Sequence, residues 1–461
     1  MKLKSFKAKN VFGYMNFDIN FNDDITLLYG INGSGKTTAL KLIQAILTPS
    51  FKDFHAIEFD ELKLAFVDNY KQDSKTIRIE IKKDSTIELK IFISNKKEYE
   101  LSIPLLKGEE LNYILEKDDN YFNEFLIDNR QEELIHFLTN INQPLFLGLD
   151  RRNTDDDSDI NYERDILKRR VIINDNGRKR AIIQRNRFIK GSLGISLMQS
   201  EFLVQDTYKR IRILEDRQRD KLRDELLMTS FDYIDIDGIS FHELKRPDYL
   251  SKIIQRKEEI IQNISNLGTN AKELLKKTDN FFQKLEELKE KSEKSKDDTS
   301  SSIDIELITN KVQIDRMEKL IKTIDEHKST VDKYFEPINN FLNVINKFFE
   351  KSDKTLEIDT VGHIKIRKPN KKKDSIETLS SGERQLIIIF IHLIFEKKGS
   401  KVFIIDEPEL SLHIQWQSIF TDEITSISPK TQFILATHSP EIIAGYENKT
   451  SSVRLKIDGT K

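Results

Sequence analysis

The sequence predicts an α/β fold in which a sheet of buried strands and an antiparallel β meander form one body, with a long helical segment inserted between its two halves. Three observations predict it. A strand, a glycine-rich loop and a helix follow one another over residues 25–47, alternating strand patterns fill residues 56–103, and apolar heptads occupy most of residues 250–349. We expect these segments: 1–150 and 353–461 as the two halves of the body, 151–245 as a basic and helical linker region, and 246–352 as an antiparallel helical hairpin.

Composition excludes several classes of protein. The 461 residues include no cysteine, which rules out disulfides, thiolate metal sites and cysteine nucleophiles. The net charge is -2, so any contact with nucleic acid would need a local basic patch. The sequence has neither an apolar signal core at its start nor an apolar run of 18 residues, and we therefore expect a cytoplasmic protein with no membrane association.

The glycine-rich loop is residues 30–37, GINGSGKT, and it fits the pattern G-x-x-x-x-G-K-[ST] at every fixed position. Backbone N–H groups in such a loop, together with the positive end of the following helix, bind phosphate. Lys36 can reach the β- and γ-phosphates of ATP, and the Thr37 hydroxyl can ligate Mg²⁺. A chance glycine-rich turn is the alternative, which the flanking strand and helix disfavour. The residues expected to contact the nucleotide are Asn32, Gly33, Ser34, Gly35, Lys36, Thr37 and Thr38.

Strand patterns surround this loop. Residues 2–29 alternate apolar and polar side chains in two runs, which predicts strands leading into the loop. Residues 56–103 alternate in the same way between turn-forming Lys, Asp, Ser and Asn residues, which predicts the antiparallel meander. We expect a helical region over residues 108–140 and a buried strand over residues 144–149.

The charge pattern changes in the next segment. An acidic run at residues 155–159 is followed by a basic stretch, residues 168–190, that is rich in lysine and arginine. A solvated surface or loop is the ordinary explanation of such a run. The alternative is a patch that binds nucleic acid or an acidic partner.

A seam of apolar residues spaced alternately by three and four runs from Ile314 to Phe349, and only Lys328 interrupts it. The same pattern is looser over residues 250–288, and the residues between, 291–302, include no apolar side chain. The simplest structure is two antiparallel helices joined by a polar tip, each arm about 60 Å long. Pro337 should bend the returning arm. A compact helical bundle is the alternative, since bundles also use heptads.

Three motifs follow this segment. They are LSSGE at residues 379–383, VFIIDE at residues 402–407 and FILATHSP at residues 433–440. An apolar run, LIIIFIHLIF, comes directly after the first, and periodicity alone does not decide whether it is helix or strand. Singly, each motif has an ordinary explanation, namely a turn, two solvated carboxylates and a structural histidine.

The second motif delivers two adjacent carboxylates at the carboxyl end of a strand, which is where ligands bind in parallel α/β sheets. Asp406 can hold Mg²⁺, and Glu407 can take a proton from an attacking water. The third motif also ends a strand in polar groups, and its His438 would lie beside the same site.

Taken in this order with the glycine-rich loop, the motifs resemble the ABC-type ATPases of the SMC, RecF and OLD branch. The resemblance covers about residues 1–150 and 355–450, the two halves of one ATPase head. The motifs LSSGE, DEPELSLHIQWQ and ATHSP look most like the single-chain ATPases grouped with OLD proteins. Several of these are the ATPase subunits of two-gene antiphage systems such as PARIS and Septu.

The resemblance implies a role for each motif. Lys36 would bind the phosphates, Thr37 and Asp406 would bind Mg²⁺, Glu407 would be the general base, and His438 would sense the γ-phosphate. Two heads would enclose ATP between them, so the chain would form at least a homodimer. The residues that would complete the site of the second subunit are Ser380, Ser381 and Gly382, and residues 409–413 would carry communication across the dimer.

Two departures from the transporter pattern are visible, Ser381 in place of glycine and Glu383 in place of glutamine. In the family that the motifs resemble, a glutamine joins the Mg²⁺ site to the second lobe of the head. No glutamine of this sequence is assigned to that role, since Gln143 comes too early and residues 150–152 occupy the expected region.

Three candidate functions follow from these motifs. The first is the sensor or regulatory subunit of an antiviral defence system, controlling a separate effector such as a nuclease. The second is a DNA-repair or chromosome-maintenance ATPase that acts directly on DNA. The third, the nucleotide-binding domain of a transporter, is disfavoured by the long insertion and by the lack of a membrane segment.

Overall fold

The computed structural model describes residues 1–48, 50–70, 73–106, 108, 111, 114, 133–141, 144–147, 193–230, 251, 254–258, 271–294, 301–395 and 402–453. The chain divides into unit 1, which is Met1–Gln205 with Asn340–Lys461, and unit 2, which is Asp206–Asn339.

The described strands are β1 (Lys2–Val11), β2 (Met15–Asn20), β3 (Ile25–Tyr29), β4 (Glu61–Tyr70), β5 (Asp73–Lys83), β6 (Thr86–Ile93), β7 (Lys96–Pro104), β8 (Leu145–Leu147), β9 (Thr355–Ile358), β10 (Ile364–Arg367), β11 (Lys373–Ser375), β12 (Val402–Asp406), β13 (Gln432–Thr437) and β14 (Thr450–Ser452). The described helices are α1 (Lys36–Leu47), α2 (Phe51–Ala56), α3 (Glu133–Asn140), α4 (Leu193–Ser230), α5 (Ala271–Lys294), α6 (Ser301–Phe349), α7 (Ser381–Phe395), α8 (Ile414–Ile427) and α9 (Pro440–Ile443).

A parallel sheet forms the centre of unit 1, with strand order β14-β3-β13-β12-β8. Its inner strands are continuous apolar runs, and Ile404, Ile405, Ile434 and Leu435 are each at most 1% exposed. Such runs are typical of strands that are covered on both faces. Because β13 lies between β3 and β12, the carboxyl ends of these three strands meet at one edge.

The predicted antiparallel meander is confirmed as a second sheet with order β2-β1-β4-β5-β6-β7. Burial alternates along its strands, as it does through all eight residues of β6. The buried side chains of this sheet join those of α1 and α2 in one hydrophobic core. The fold class predicted from sequence is therefore confirmed, with helices inserted in the chain between the two halves of the α/β body.

One buried side chain links the two sheets. The Gln432 amide at the start of β13 accepts the Leu3 N–H at 2.7 Å and donates to the Leu3 carbonyl at 2.8 Å. It also donates to the Asn22 carbonyl at 2.6 Å. Gln432 thus takes the place of a neighbouring strand beside the start of β1.

The apolar run left undecided by its periodicity is helix α7. Its Phe390 and Phe395 lie 5.6 Å and 5.5 Å, between ring centroids, from Phe348 and Phe341 near the end of α6. The region predicted as helical over residues 108–140 contains α3 at its end, and most of the remainder lies outside the described residues.

Unit 2 contains most of α4 and α6. The ring of Tyr208 on α4 lies 6.2 Å from that of Phe335 on α6, and Gln218 donates to the Tyr334 hydroxyl at 3.3 Å. The seam is buried at Ile321, Ile324 and Ile338, and α6 continues through Pro337. Lys328 is exposed, as a lysine in an apolar seam should be. Helix α4, which precedes the expected hairpin, thus supplies a packing partner for its second arm.

Some sequence predictions fall outside the described residues. These are the basic stretch 168–190, residues 150–152, Gln143 and the centre of the polar tip. Among the described helices, none combines the length and the apolar character that a membrane span requires.

Candidate nucleotide site

The strand order brings three of the four predicted motifs to one edge of the parallel sheet. The glycine-rich loop follows β3, Asp406 ends β12 and Glu407 follows it, and His438 follows β13. In the sheet register, Asp406 pairs with Ala436, and Thr437 pairs with Tyr29. Residues about 400 positions apart in the chain therefore face the same space.

Two glycines of the loop adopt left-handed backbone conformations, with φ of +80° at Gly33 and +87° at Gly35. A Cβ on Gly35 would lie 2.8 Å from the Phe17 ring and 3.0 Å from the Met15 Sδ. Strand β2 thus backs the loop and excludes any side chain at Gly35. Sequence reasoning missed Met15 and Phe17, because only the sheet order brings them to the loop.

Lys36 is only 4% exposed and turns back over the loop that precedes it. Its Nζ donates to the Gly30 carbonyl at 2.8 Å and to the Ile31 carbonyl at 3.3 Å, and lies 3.4 Å from the His438 Nδ1. Burial lowers the pKa of Lys36, and the nearby carboxylates of Glu407, Asp406 and Glu409 oppose that shift. The ammonium group is thus already desolvated at the place where phosphate would bind.

Asp406 lies beside the first helical turn after the loop. The Thr37 hydroxyl donates to its carboxylate, while Asp406 Oδ1 is buried without a hydrogen-bond partner. Burial raises the pKa of Asp406, and the adjacent Glu407 raises it further. The Ser34 Oγ, in the loop itself, is also buried and without a partner.

A buried polar atom without a protein partner is available to hydrogen-bond a ligand, an ion or water. A carboxylate oxygen beside a threonine hydroxyl is the oxygen-donor set that Mg²⁺ prefers, and an unpaired hydroxyl in the loop suits a phosphate oxygen. The residues present therefore fit Mg²⁺ and a nucleoside triphosphate.

Glu407 has a left-handed backbone conformation, with φ of +49°. For a residue with a side chain this costs about 1–3 kcal/mol, and such strain persists only where the surroundings hold it. Its N–H donates to the Ala436 carbonyl at 2.8 Å, which continues the β12–β13 pairing by one residue. Its Oε1 lies 4.0 Å from His438 Nε2, so the imidazole stands between Glu407 and Lys36.

The signature turn, residues 379–383, closes on itself through a capping box. Ser380 N–H and Oγ–H each donate to Glu383 Oε2 at 2.8 Å, and Glu383 N–H faces Ser380 Oγ at 3.4 Å. Lys354 donates to the other oxygen of Glu383 at 2.6 Å. The S-x-x-E spacing before an apolar run was the sequence signal that could have identified α7 as a helix.

The two serines of the turn are open to solvent. Ser380 and Ser381 are exposed, whereas Gly382 is buried. The hydrogen bonds of Ser380 go to Glu383 rather than to the glycine-rich loop of the same chain.

A phosphate loop, a half-buried carboxylate against its threonine, and an adjacent carboxylate and histidine together define a P-loop ATPase. The chain belongs to the family described as "AAA domain, putative AbiEii toxin, Type IV TA system", which matches residues 25–444. A curated relative is similar over a short part of the chain, with 30% identity over 87 residues. It is described as "Retron Vc95 probable ATPase" from Vibrio cholerae serotype O1 biovar El Tor, and the match covers 19% of this chain and 17% of the relative.

Solved structures similar to this chain include two Smc head domains from Pyrococcus species. One, from Pyrococcus furiosus, has an extended coiled coil and is bound to the C-terminal domain of ScpA; it is 15% identical, with a TM-score of 0.42 over 96% of this chain and 91% of the other. The second, from Pyrococcus yayanosii, has a coiled coil and joint; it is 14% identical, with a TM-score of 0.35 over 96% and 93%.

Proposed function

We propose that two copies of this chain close around ATP and Mg²⁺ and hydrolyse the nucleotide between them. The observation that carries the proposal is the convergence of Lys36, Asp406, Glu407 and His438 at one sheet edge, with unpartnered buried oxygens beside the loop. Lys36 binds the β- and γ-phosphates, and loop N–H groups bind the remaining phosphate oxygens. Thr37 and Asp406 would hold Mg²⁺, which neutralises charge on the phosphates when bound.

Glu407 is the general base in this proposal. Its carboxylate takes a proton from the water that attacks the γ-phosphorus, and the resulting inorganic phosphate leaves as the bond to the β-phosphate oxygen breaks. His438, between Glu407 and Lys36, contacts the γ-phosphate and reports whether it is present.

The signature turn serves the partner's nucleotide. Ser380 and Ser381 are exposed at the amino end of α7, where backbone N–H groups and the helix dipole favour an anion. Ser380 makes its hydrogen bonds to Glu383 and not to the glycine-rich loop of its own chain. This supports the nucleotide bound by a second copy as the ligand of the two serines. Gly382 follows them and completes the turn.

The biological task we propose is that of a sensor or regulatory subunit in an antiviral defence system of the two-gene kind represented by PARIS and Septu. The effector, such as a nuclease, would be a separate protein. Two descriptions support a multi-component system: that of the family includes "Type IV TA system", and that of one relative is "Retron Vc95 probable ATPase".

The enzymatic proposal is tested with Glu407→Gln and Lys36→Ala. Glu407→Gln keeps the shape of the side chain but removes the base, so hydrolysis should fall by about 10²–10⁴. Its closed dimer should then persist in size-exclusion chromatography with ATP and Mg²⁺. Lys36→Ala should lose phosphate affinity and remain undimerised, and Glu98→Gln, at an exposed carboxylate of β7, should match wild type.

Two outcomes would contradict it. Undiminished hydrolysis by Glu407→Gln would contradict the assignment of Glu407 as the general base. Identical behaviour of Glu407→Gln and Lys36→Ala, with neither associating with ATP more than wild type does, would contradict the sandwich dimer. The defence role is tested by phage plating on cells that express this chain with the product of the adjacent gene. Tight, steeply salt-dependent DNA binding by the chain alone would favour a repair function instead.

A further inference from the structure

Helix α7 is joined directly to the loop that follows β12. The Gln385 side chain is only 2% exposed, and its Nε2 donates to the Pro408 carbonyl at 2.9 Å. Pro408 is itself buried and follows Glu407 in the chain. The amide of Gln385 therefore holds the peptide between Pro408 and Glu409, one residue beyond the proposed general base.

A second contact brings the same two segments together. A Cβ on Gly382 would lie 2.1 Å from the Ser411 carbonyl oxygen, so the start of α7 and the loop after β12 touch backbone to backbone. Ser411, like Glu407, has a left-handed backbone conformation, with φ of +68°. The loop thus has two strained residues, one at each end, and α7 contacts it beside both.

We infer that Gln385 is a positioning residue for Glu407, acting through the Pro408 carbonyl. The hydrogen bond holds the loop in the conformation that places the Glu407 carboxylate beside the His438 imidazole. Without the donor, the buried Pro408 carbonyl has no compensating partner from α7, and the left-handed conformation at Glu407 is free to relax.

The contact also has a consequence for assembly, and this step rests on the proposed function. In the dimer, the signature turn at the start of α7 meets the partner's nucleotide, whereas Glu407 acts on the nucleotide of its own chain. Gln385 and Gly382 join these two places within one chain. Engagement of the partner's nucleotide would thereby set the position of the chain's own general base.

The test is Gln385→Met, which keeps the length of the side chain and removes the donor. We expect kcat for ATP hydrolysis to fall about 10- to 100-fold, the loss typical of a misplaced catalytic group. The KM for ATP should stay within about twofold of wild type, since nucleotide binding does not depend on Glu407. The ATP-dependent dimer should persist longer than that of wild type, as in Glu407→Gln, because hydrolysis is what opens it. If Gln385→Met does not fold, Gln385→Asn, which is too short to reach Pro408, is measured in its place.

Gln432→Met is the matched control. Gln432 is also a fully buried glutamine that donates to backbone carbonyls, but it lies at the opposite end of β13 from the site. Its replacement should lower stability and leave kcat within about twofold, measured well below the unfolding temperature.

A double-mutant cycle decides whether Gln385 acts through Glu407. In single-turnover hydrolysis, Gln385→Met should slow Glu407→Gln by less than about twofold, because the group it positions is already absent. Full additivity would overturn the inference, as would unchanged kcat in Gln385→Met or equal losses in Gln385→Met and Gln432→Met. If wild type does not hydrolyse ATP at all, the proposed function fails and the inference with it, which is a different result from any of these three.

Discussion

The backbone N–H of His438 donates to the Glu409 carboxylate at 2.5 Å, which ties the loop after β13 to the loop after β12. The other carboxylate oxygen of Glu409 accepts the Thr437 hydroxyl at 2.9 Å. Glu409 therefore uses both oxygens to hold the backbone from which the His438 ring projects. The imidazole lies between Lys36 and Glu407 because its main chain is held in this way.

Replacing Glu409 by glutamine should impair hydrolysis more than nucleotide binding. The glutamine amide can still accept from the His438 N–H and donate to the Thr437 hydroxyl, but it lacks the charge that strengthens both hydrogen bonds, so the His438 loop can shift. We expect kcat to fall by about 10- to 100-fold, with the Kd for ATP changed less than about threefold. Steady-state kinetics and equilibrium binding measure the two quantities. Exposed Glu98→Gln is the control, and a Glu409→Gln variant with wild-type kcat would contradict the assignment.

Asp406→Asn should keep or raise the stability of the ligand-free protein. It should also abolish the additional stability that Mg²⁺ gives in the presence of ATP. Burial disfavours the Asp406 carboxylate and raises its pKa, so a neutral amide should leave the free energy of unfolding equal to wild type or up to about 2 kcal/mol higher. With ATP and Mg²⁺ at 100 times Kd, the wild type should gain about 2.7 kcal/mol. Thermal unfolding with ATP, with and without EDTA, measures both effects. A Mg²⁺-dependent gain of the same size in Asp406→Asn would exclude Asp406 as a metal ligand.

The Lys354–Glu383 pair should make the stability of the signature turn depend on pH. Burial alone would raise the pKa of Glu383, but the hydrogen bonds from Lys354 and Ser380 outweigh it and hold the pKa below its usual 4.5. The stabilisation is therefore present above pH 4.5 and is lost as pH falls through the lower, folded-state pKa.

Lys354→Met should consequently lower the free energy of unfolding by about 2–3 kcal/mol at pH 7, because it leaves a buried carboxylate without its cation. The deficit should shrink as pH falls below 4.5, where protonated Glu383 needs no partner. Urea denaturation at pH 7 and at pH 4 measures it, with exposed Lys351→Met as the control. A deficit that is the same at both pH values would show that Lys354 stabilises by packing rather than by charge.

Gln432→Met should destabilise the junction of the two sheets. It leaves the Leu3 N–H and the carbonyls of Leu3 and Asn22 buried without their side-chain partner, which should cost about 2–4 kcal/mol. Denaturant unfolding measures the change against exposed Gln415→Met. A loss below about 0.5 kcal/mol would mean that water replaces the amide in these hydrogen bonds.

The sequence alone determined the elements whose causes are local. The spacing of Gly30, Gly35 and Lys36 between a strand and a helix specifies the phosphate loop, because backbone conformation and helix polarity act over a few residues. Alternation of burial specified the meander, and heptads specified the long helices. The S-x-x-E spacing of Ser380 and Glu383 is also a local feature. It identifies a capping box only if a helix follows, and the structure showed that α7 is a helix.

Only the tertiary structure decided which distant residues share the site and which groups hold them there. The order β3-β13-β12 places His438 between Lys36 and Glu407, and no short-range preference encodes the order of parallel strands. Burial of Asp406 Oδ1, the Glu409 bonds to the His438 loop and the Gln385 bond to Pro408 depend on packing between elements tens to hundreds of residues apart. Side-chain to backbone hydrogen bonds of this kind have no sequence period, because their partners are peptide groups that every residue carries.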